Sequence, residues 1–101
     1  MNKTLIFTAT YKESKNISKL LNKIIKLKQK VDLLIVDDNS PDGTPEKIEK
    51  FSKNYKNIFL KKRKGKLGLN TAHIYGYNYA LKNKYKKLIT MDADLSHDPK
   101  E

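Results

Sequence analysis

One stretch of the sequence decides the fold: Leu33-Leu34-Ile35-Val36-Asp37-Asp38-Asn39-Ser40-Pro41-Asp42-Gly43-Thr44. Its four branched apolar residues predict a buried strand, because a parallel strand that is covered on both faces is apolar throughout. Two carboxylates follow directly, so Asp37 and Asp38 are expected at the carboxyl end of this strand. Ligands of open α/β sheets bind along that edge, which makes the two carboxylates candidates for a functional site.

The residues after the two carboxylates predict a turn and then a helix. Asn39, Ser40, Pro41, Asp42 and Gly43 are all common in turns. Thr44 is expected to cap the next helix through its hydroxyl. Pro45 then occupies the first helical position, where a missing N–H costs nothing.

Strands and helices alternate along the rest of the chain. Apolar runs predict strands at residues 3–8, 31–36, 58–60 and 88–91. Between them we expect a helix capped by Ser14 or Asn16, a helix over Thr44–Asn54, and a helix that starts at Asn70 or Thr71. Alternation of this kind predicts an α/β fold with a mainly parallel, Rossmann-like sheet. The residues expected on the buried helix faces are Ile17, Leu20, Leu21, Ile24, Ile25, Ile48, Phe51, Tyr55, Ala72, Tyr75, Gly76, Tyr79 and Ala80.

Length and composition limit the classes of protein to consider. A chain of 101 residues suffices for one domain. It contains no cysteine, which excludes disulfides and thiolate metal sites; the redox compartment stays open, with the reducing cytoplasm as the default. No segment approaches the ~20 apolar residues of a membrane span. The net charge of +11 comes from 21 lysines and one arginine, and the lysines recur at helical spacing, as on a solvated face. We therefore expect no specific nucleic-acid partner, since specific readers rely more on arginine.

The acidic residues are distributed differently from the lysines. Seven of the eleven lie in or just beyond segments that follow predicted strands, so the fold should gather them on one edge of the sheet. A basic protein with such an acidic edge is expected to bind a cation there. The seven residues are Glu13, Asp37, Asp38, Asp42, Asp92, Asp94 and Asp98.

Asp92-Ala93-Asp94 is the strongest candidate for a metal site. Alternate residues of an extended segment point the same way, so the two carboxylates can bind one cation together. Mg²⁺ or Mn²⁺ held in this way, with diphosphate oxygens as further ligands, is usual for nucleotide substrates. The same spacing also occurs in solvated turns, and the position after a buried strand favours the metal site. His97 is open to three roles: metal ligand, loop cap or substrate contact.

Two further loops carry candidate binding residues. Tyr11 offers an aromatic face to a base, and Glu13 can accept from ribose hydroxyls, although an exposed turn is equally compatible with the spacing. Lys66-Leu67-Gly68-Leu69 places a lysine and a glycine before a helix N-terminus, where phosphate can bind. The lysines of residues 61–66 also suit a solvated basic loop, and the P-loop spacing is absent.

Taken together, these motifs resemble those of the family-2 glycosyltransferases with the GT-A fold, and most closely the dolichol-phosphate or polyprenyl-phosphate mannosyltransferase branch. The segments that carry the resemblance are 9–13, 37–44, 66–69 and 91–99. Three positions depart from the family pattern. Ala9 replaces a proline, Lys12 replaces an asparagine, and Asn70 replaces a frequent glycine.

The resemblance implies a nucleotide-sugar donor, GDP-mannose, and a dolichyl or polyprenyl phosphate acceptor, with inversion at the anomeric carbon. It also implies a divalent cation, Mg²⁺ or Mn²⁺, bound by Asp94 and Ser96, and catalytic roles for Asp92 and Asp94. The donor-binding residues that it implies are Ala9, Tyr11, Glu13, Val36, Asp38, Lys66, Asp92, Ala93 and Asp94.

Enzymes of this family continue well past the Asp-x-Asp motif. Residues 1–101 are therefore expected to form the nucleotide-sugar-binding half of a transferase, incomplete at the C-terminus, inactive alone and acting at the cytoplasmic face of a membrane. A downstream second half or a membrane subunit would complete it. The alternatives are a family-2 enzyme with another donor or acceptor, and a nucleotide-binding remnant without catalysis. A receiver-type domain fits less well, because its acidic pair follows the first strand.

Overall fold

The computed structural model describes residues 3–27, 30–64 and 68–92, which form one parallel sheet and three helices. The strands are β1 (Thr4–Thr10), β2 (Asp32–Asp37), β3 (Ile58–Lys62) and β4 (Lys87–Asp92), in the spatial order β3-β2-β1-β4. The helices are α1 (Ile17–Ile25), α2 (Thr44–Asn54) and α3 (Leu69–Lys82). This architecture confirms the α/β fold with a parallel sheet.

The sheet is covered on both faces, and β2 is buried along its whole length. Leu33 and Ile35 point to one face, where they pack with residues of α1 and α2. Leu34 and Val36 point to the other face, where they pack with residues of α3. The continuous apolar run thus reflects a strand with a helix layer on each side, as expected for parallel sheets.

Helix α3 approaches the sheet closely through Gly76. A Cβ atom at this position would lie 2.6 Å from a ring carbon of Phe7 on β1. Glycine therefore permits this close approach, whereas any larger residue would have to push α3 and β1 apart. Ala72 and Ala80, one turn away on either side, are also buried, so small residues line the contact.

Several element boundaries differ from those expected. β1 continues through Thr10 and β3 through Lys62, because parallel pairing with β2 extends to Asp37. Helix α3 already begins at Leu69. Tyr55 does not face the core as predicted: it lies just past α2, is 39% exposed, and stacks on Phe51.

The cap of α2 also differs from the prediction. Gly43 is the N-cap residue, with a φ of 88°, and Thr44 is already helical. The Thr44 hydroxyl donates to Asp42 at 2.6 Å and accepts a bond from another loop, so it is not available as a helix cap. Within the described ranges, no helix has the length and apolar character needed to cross a membrane.

Candidate functional site

The connections of the sheet place a crevice at the carboxyl ends of β1 and β4. The chain moves outward from β1 to β2 and β3, and then returns through α3 on the opposite face to β4, on the other side of β1. Open α/β sheets bind ligands where the strand order reverses in this way. The pairing register aligns Val36, Ala9 and Asp92 in one row across β2, β1 and β4. Three residues predicted to contact the donor are therefore neighbours at this edge.

Asp37, at the end of β2, is fully buried and hydrogen-bonded within the protein. Its carboxylate accepts from the Thr10 hydroxyl at 2.6 Å, from the Ser40 hydroxyl at 2.7 Å and from the Ser40 amide at 2.9 Å. Bonds to a carboxylate are stronger than neutral ones. Asp37 therefore joins the end of β1 to the turn after β2. Its role at this edge of the sheet is structural.

The turn after β2 also holds the loop after β1. Three successive backbone N–H groups of the β1 loop donate to side chains of the β2 turn, so the two loops form one unit. These bonds fix the backbone of residues 12–14, which directly follow Tyr11. The bonds join Lys12 N to Ser40 Oγ (2.9 Å), Glu13 N to Thr44 Oγ1 (3.0 Å), and Ser14 N to Asp42 Oδ2 (3.2 Å).

The surroundings of Asp42 change its pKa. Desolvation is the largest single influence and raises the pKa of this carboxyl, but the bonds from the Thr44 hydroxyl and from Ser14 together favour the charged form more strongly. The net effect lowers its pKa to about 2, from an ordinary value of 3.8. Asp42 therefore stays ionised at neutral pH and keeps the two loops together.

Asp38 forms a bidentate ion pair with Arg63. Arg63 Nε lies 2.5 Å from Asp38 Oδ1 and Arg63 Nη2 lies 2.9 Å from Oδ2. The two side chains are only 10% and 8% exposed. The same guanidinium donates to Thr71 Oγ1 at 3.0 Å and to the Gly68 carbonyl at 3.1 Å. The pair therefore links the ends of β2 and β3 to the N-terminus of α3.

Arg63 is the residue of this site that sequence reasoning missed. The lysines of residues 61–66 favour a solvated basic loop, whereas only 8% of the Arg63 side chain is exposed. The signal lay in the composition, because Arg63 is the only arginine beside 21 lysines. A planar guanidinium can bind both oxygens of a carboxylate, which an ammonium group cannot do in the same geometry.

In each of the two loops one residue other than glycine adopts the left-handed backbone conformation. Lys12 has a φ of 57° and Asn39 a φ of 58°. Asparagine tolerates this conformation better than most residues. The asparagine that the family resemblance leads one to expect at position 12 would therefore suit this backbone better than Lys12 does. In this chain Lys12 Nζ lies 5.4 Å from the centre of the Tyr11 ring, a cation–π contact at the rim of the site.

Part of the predicted site lies outside the described residues. Lys66, Ala93, Asp94, Ser96 and also His97 belong to this part, and Asp92 is described by its backbone alone. Within residues 3–27, 30–64 and 68–92, no group of three histidine, cysteine or acidic side chains is arranged to hold a metal ion. The metal site at the Asp-x-Asp motif therefore stays a prediction.

Comparison with known proteins identifies the class to which this fold and edge belong. Residues 5–101 match the family model described as glycosyl transferase family 2, and the chain belongs to this family. It is also similar to a solved structure, the mannosyltransferase PcManGT from Pyrobaculum calidifontis in complex with GDP-Man and Mn²⁺. The TM-score is 0.73 at 22% identity, over 91% of this chain and 27% of that one. This similarity confirms the GT-A fold.

Two relatives are similar in sequence over nearly the whole chain. Polyprenol monophosphomannose synthase of Mycolicibacterium smegmatis is 33% identical over 100 residues. Undecaprenyl-phosphate mannosyltransferase of Micrococcus luteus is 32% identical over 99 residues. Each alignment covers 98% of this chain but only 38% and 41% of the respective relatives, so the chain spans about two fifths of their length.

Proposed function

We propose that this chain is the donor-nucleotide half of a mannosyltransferase that moves mannose from GDP-mannose to a polyprenyl phosphate. The observation that carries the proposal is the row of Val36, Ala9 and Asp92 at the edge where the strand order reverses. The two relatives, whose names specify mannose and a polyprenyl carrier, support the substrates. The acceptor site is assigned to sequence outside residues 1–101.

The loops beside the row supply the contacts for the nucleotide. Tyr11 presents an aromatic ring for the base, and Glu13 a carboxylate for the ribose hydroxyls. Asp38 is held in one orientation by Arg63 through both of its oxygens, and its contact with the donor would use a remaining lone pair in the 10% of the side chain that is exposed. Because these loops are hydrogen-bonded to each other before ligand arrives, little ordering is required on binding.

The residues of the Asp-x-Asp motif fit a divalent cation. Carboxylate and hydroxyl oxygens are the ligands that Mg²⁺ and Mn²⁺ prefer, and Asp94 and Ser96 would supply them. The backbone of Asp92 ends β4 beside Ala9, so the motif starts at the crevice edge, where Asp92 would contact the donor. When bound, the cation offsets the charge on the departing diphosphate. A mannosyltransferase of the same fold accommodates GDP-Man with Mn²⁺.

The reaction is an inverting displacement. An oxygen of the lipid phosphate attacks the anomeric carbon of mannose from the face opposite the diphosphate. The new carbon–oxygen bond forms as the bond to GDP breaks, and GDP leaves with the bonding electrons. A phosphate nucleophile is already anionic at neutral pH, so the demand for a general base is small. The chain's own contribution is to bind and orient the donor.

Transfer of labelled mannose tests the proposal. The chain would be compared with a version extended by the sequence that follows in its reading frame, using GDP-mannose and undecaprenyl phosphate. We expect lipid-linked mannose from the extended version alone. Asp94→Asn should abolish it, whereas Glu46→Gln, on the exposed first turn of α2, should leave it unchanged. Transfer from another nucleotide sugar only would assign a different donor, and no transfer from any donor would indicate a nucleotide-binding remnant.

A further inference from the structure

Helix α3 is apolar on two opposite sides. Ala72, Gly76 and Ala80 pack on the sheet, as described above. Ile74, Tyr77 and Leu81 lie on the other side of the helix at positions i, i+3 and i+7, and are 60%, 59% and 61% exposed. A helix at the surface of a globular domain normally carries one apolar stripe, which faces the core. We call these three residues the outer face of α3. Together they form an exposed surface suited to contact with a second apolar surface.

The stretch of sequence that contains α3 carries charged residues of a single sign. Residues 61–90 contain nine lysines and arginines and no aspartate or glutamate. Four of the lysines follow the outer face of α3 directly, and all four are exposed. The opposite layer is mixed, since α2 carries Glu46 and Glu49 among its lysines. The exposed lysines are Lys82, Lys84, Lys86 and Lys87.

We propose that the outer face of α3 and its lysines dock on an anionic lipid bilayer. Interfacial helices combine aliphatic and aromatic side chains, which enter the boundary with the acyl chains, with lysines that meet anionic headgroups. A nucleic acid would use the lysines but would offer nothing to Ile74 and Leu81. The docking goes beyond donor binding and needs no nucleotide. Because the outer face runs along α3, docking would lay the helix along the bilayer surface, with the four lysines at its C-terminal end and Arg63 at its N-terminal end.

A tryptophan reporter tests which surface meets the lipid. The chain contains no tryptophan, so Tyr77→Trp places a single tryptophan on the outer face of α3. Tyr55→Trp places the same reporter on the opposite layer, where Tyr55 is also exposed. The probe is a vesicle of phosphatidylcholine and phosphatidylglycerol in equal parts, without polyprenyl phosphate. We expect vesicles to shift the emission of the Tyr77→Trp variant to the blue and to leave the emission of the Tyr55→Trp variant unchanged.

Two triple variants with the same loss of charge test the electrostatic part. In the first, Lys82, Lys84 and Lys86 become glutamine; in the second, the exposed α1-side residues Lys19, Lys23 and Lys26 do. Co-sedimentation with the vesicles should weaken by at least about tenfold in the first variant, because each lysine near an anionic surface contributes several-fold. The second variant should change little. Circular dichroism checks that both are folded.

Four outcomes would overturn the proposal. Equal losses in the two triple variants would show that only net charge matters. Vesicle binding by the Tyr77→Trp variant without a shift in its emission would place the contact on another surface. A blue shift of the same variant that appears without vesicles, as the protein concentration is raised, would assign the face to a second copy of the chain. Binding to duplex DNA with none to vesicles would assign the lysines to nucleic acid. Because none of the assays contains GDP-mannose, failure here leaves the proposed transfer reaction separately testable.

Discussion

Replacing Arg63 with methionine is expected to destabilise the protein strongly. The substitution keeps much of the apolar stem but removes every donor that Arg63 directs at Asp38, Thr71 and Gly68. The Asp38 carboxylate, 10% exposed, would lose both bonds from the guanidinium and gain little water in exchange. The ends of β2 and β3 would then lose this side-chain link and keep their backbone pairing.

The expected loss follows from burial of the pair. Removing one partner of a buried ion pair costs about 3–5 kcal/mol, because the remaining buried charge loses the bonds that offset its desolvation. Domains of this size are stable by about 5–15 kcal/mol, so this loss is a large fraction of the total. It corresponds to a fall in the melting temperature of about 12 °C or more.

Lys62 provides a matched control one residue away. It also loses one positive charge on substitution by methionine, but its partner Glu49 lies at 2.8 Å on the surface, and the two side chains are 59% and 44% exposed. Exposed pairs contribute little, so Lys62→Met should melt close to the parent. Thermal and urea melts by circular dichroism measure both variants. Equal melting of Arg63→Met and Lys62→Met would refute the role of the buried pair.

Two further predictions concern packing and pH. In Gly76→Ala the new Cβ would lie 2.6 Å from the Phe7 ring, and this overpacking should cost about 1–3 kcal/mol against about 1 kcal/mol gained in helix propensity, so a melting temperature raised by the full propensity gain would contradict this contact. The lowered pKa of Asp42 stabilises the folded state fully above the ordinary value of 3.8, and this contribution disappears as the pH falls through about 2. Asp42→Asn should therefore flatten the dependence of stability on pH between those values; urea melts across this range that superimpose on the parent's would contradict it.

The fold could be predicted because its signals are local. The β2 run is apolar on both faces, as a strand between two helix layers requires. The spacing of the apolar residues likewise predicts the buried faces of α1 and α3 correctly. Strand ends were less predictable, since they depend on how far a neighbouring strand continues to pair. Tyr55 was misplaced because the helical spacing from Phe51 was continued one residue past the end of α2, where the backbone is extended.

The gathering of the carboxylates that follow β1 and β2 at one edge of the sheet could be predicted, but their bonding could not. The sequence shows that carboxylates follow strands, but it cannot show which donors tertiary packing brings to each one. Asp37 and Asp38 are adjacent in sequence, yet one is bonded to Thr10 and Ser40 and the other to Arg63, 25 residues away. The row across the sheet likewise required the pairing register. Asp94 and Ser96, outside the described residues, remain predictions.

Calorimetric titration of GDP tests the central claim most directly, because the proposed transfer requires the donor nucleotide to bind at this edge. The chain would be titrated with Mn²⁺ and again with a chelator, beside the Asp94→Asn variant, after melts have shown that both proteins are folded. We predict that GDP binds with Mn²⁺, and that the chelator and the Asp94→Asn substitution each remove most of the affinity. Equal GDP affinity of the parent chain with and without Mn²⁺, or no GDP binding under either condition, would contradict the account.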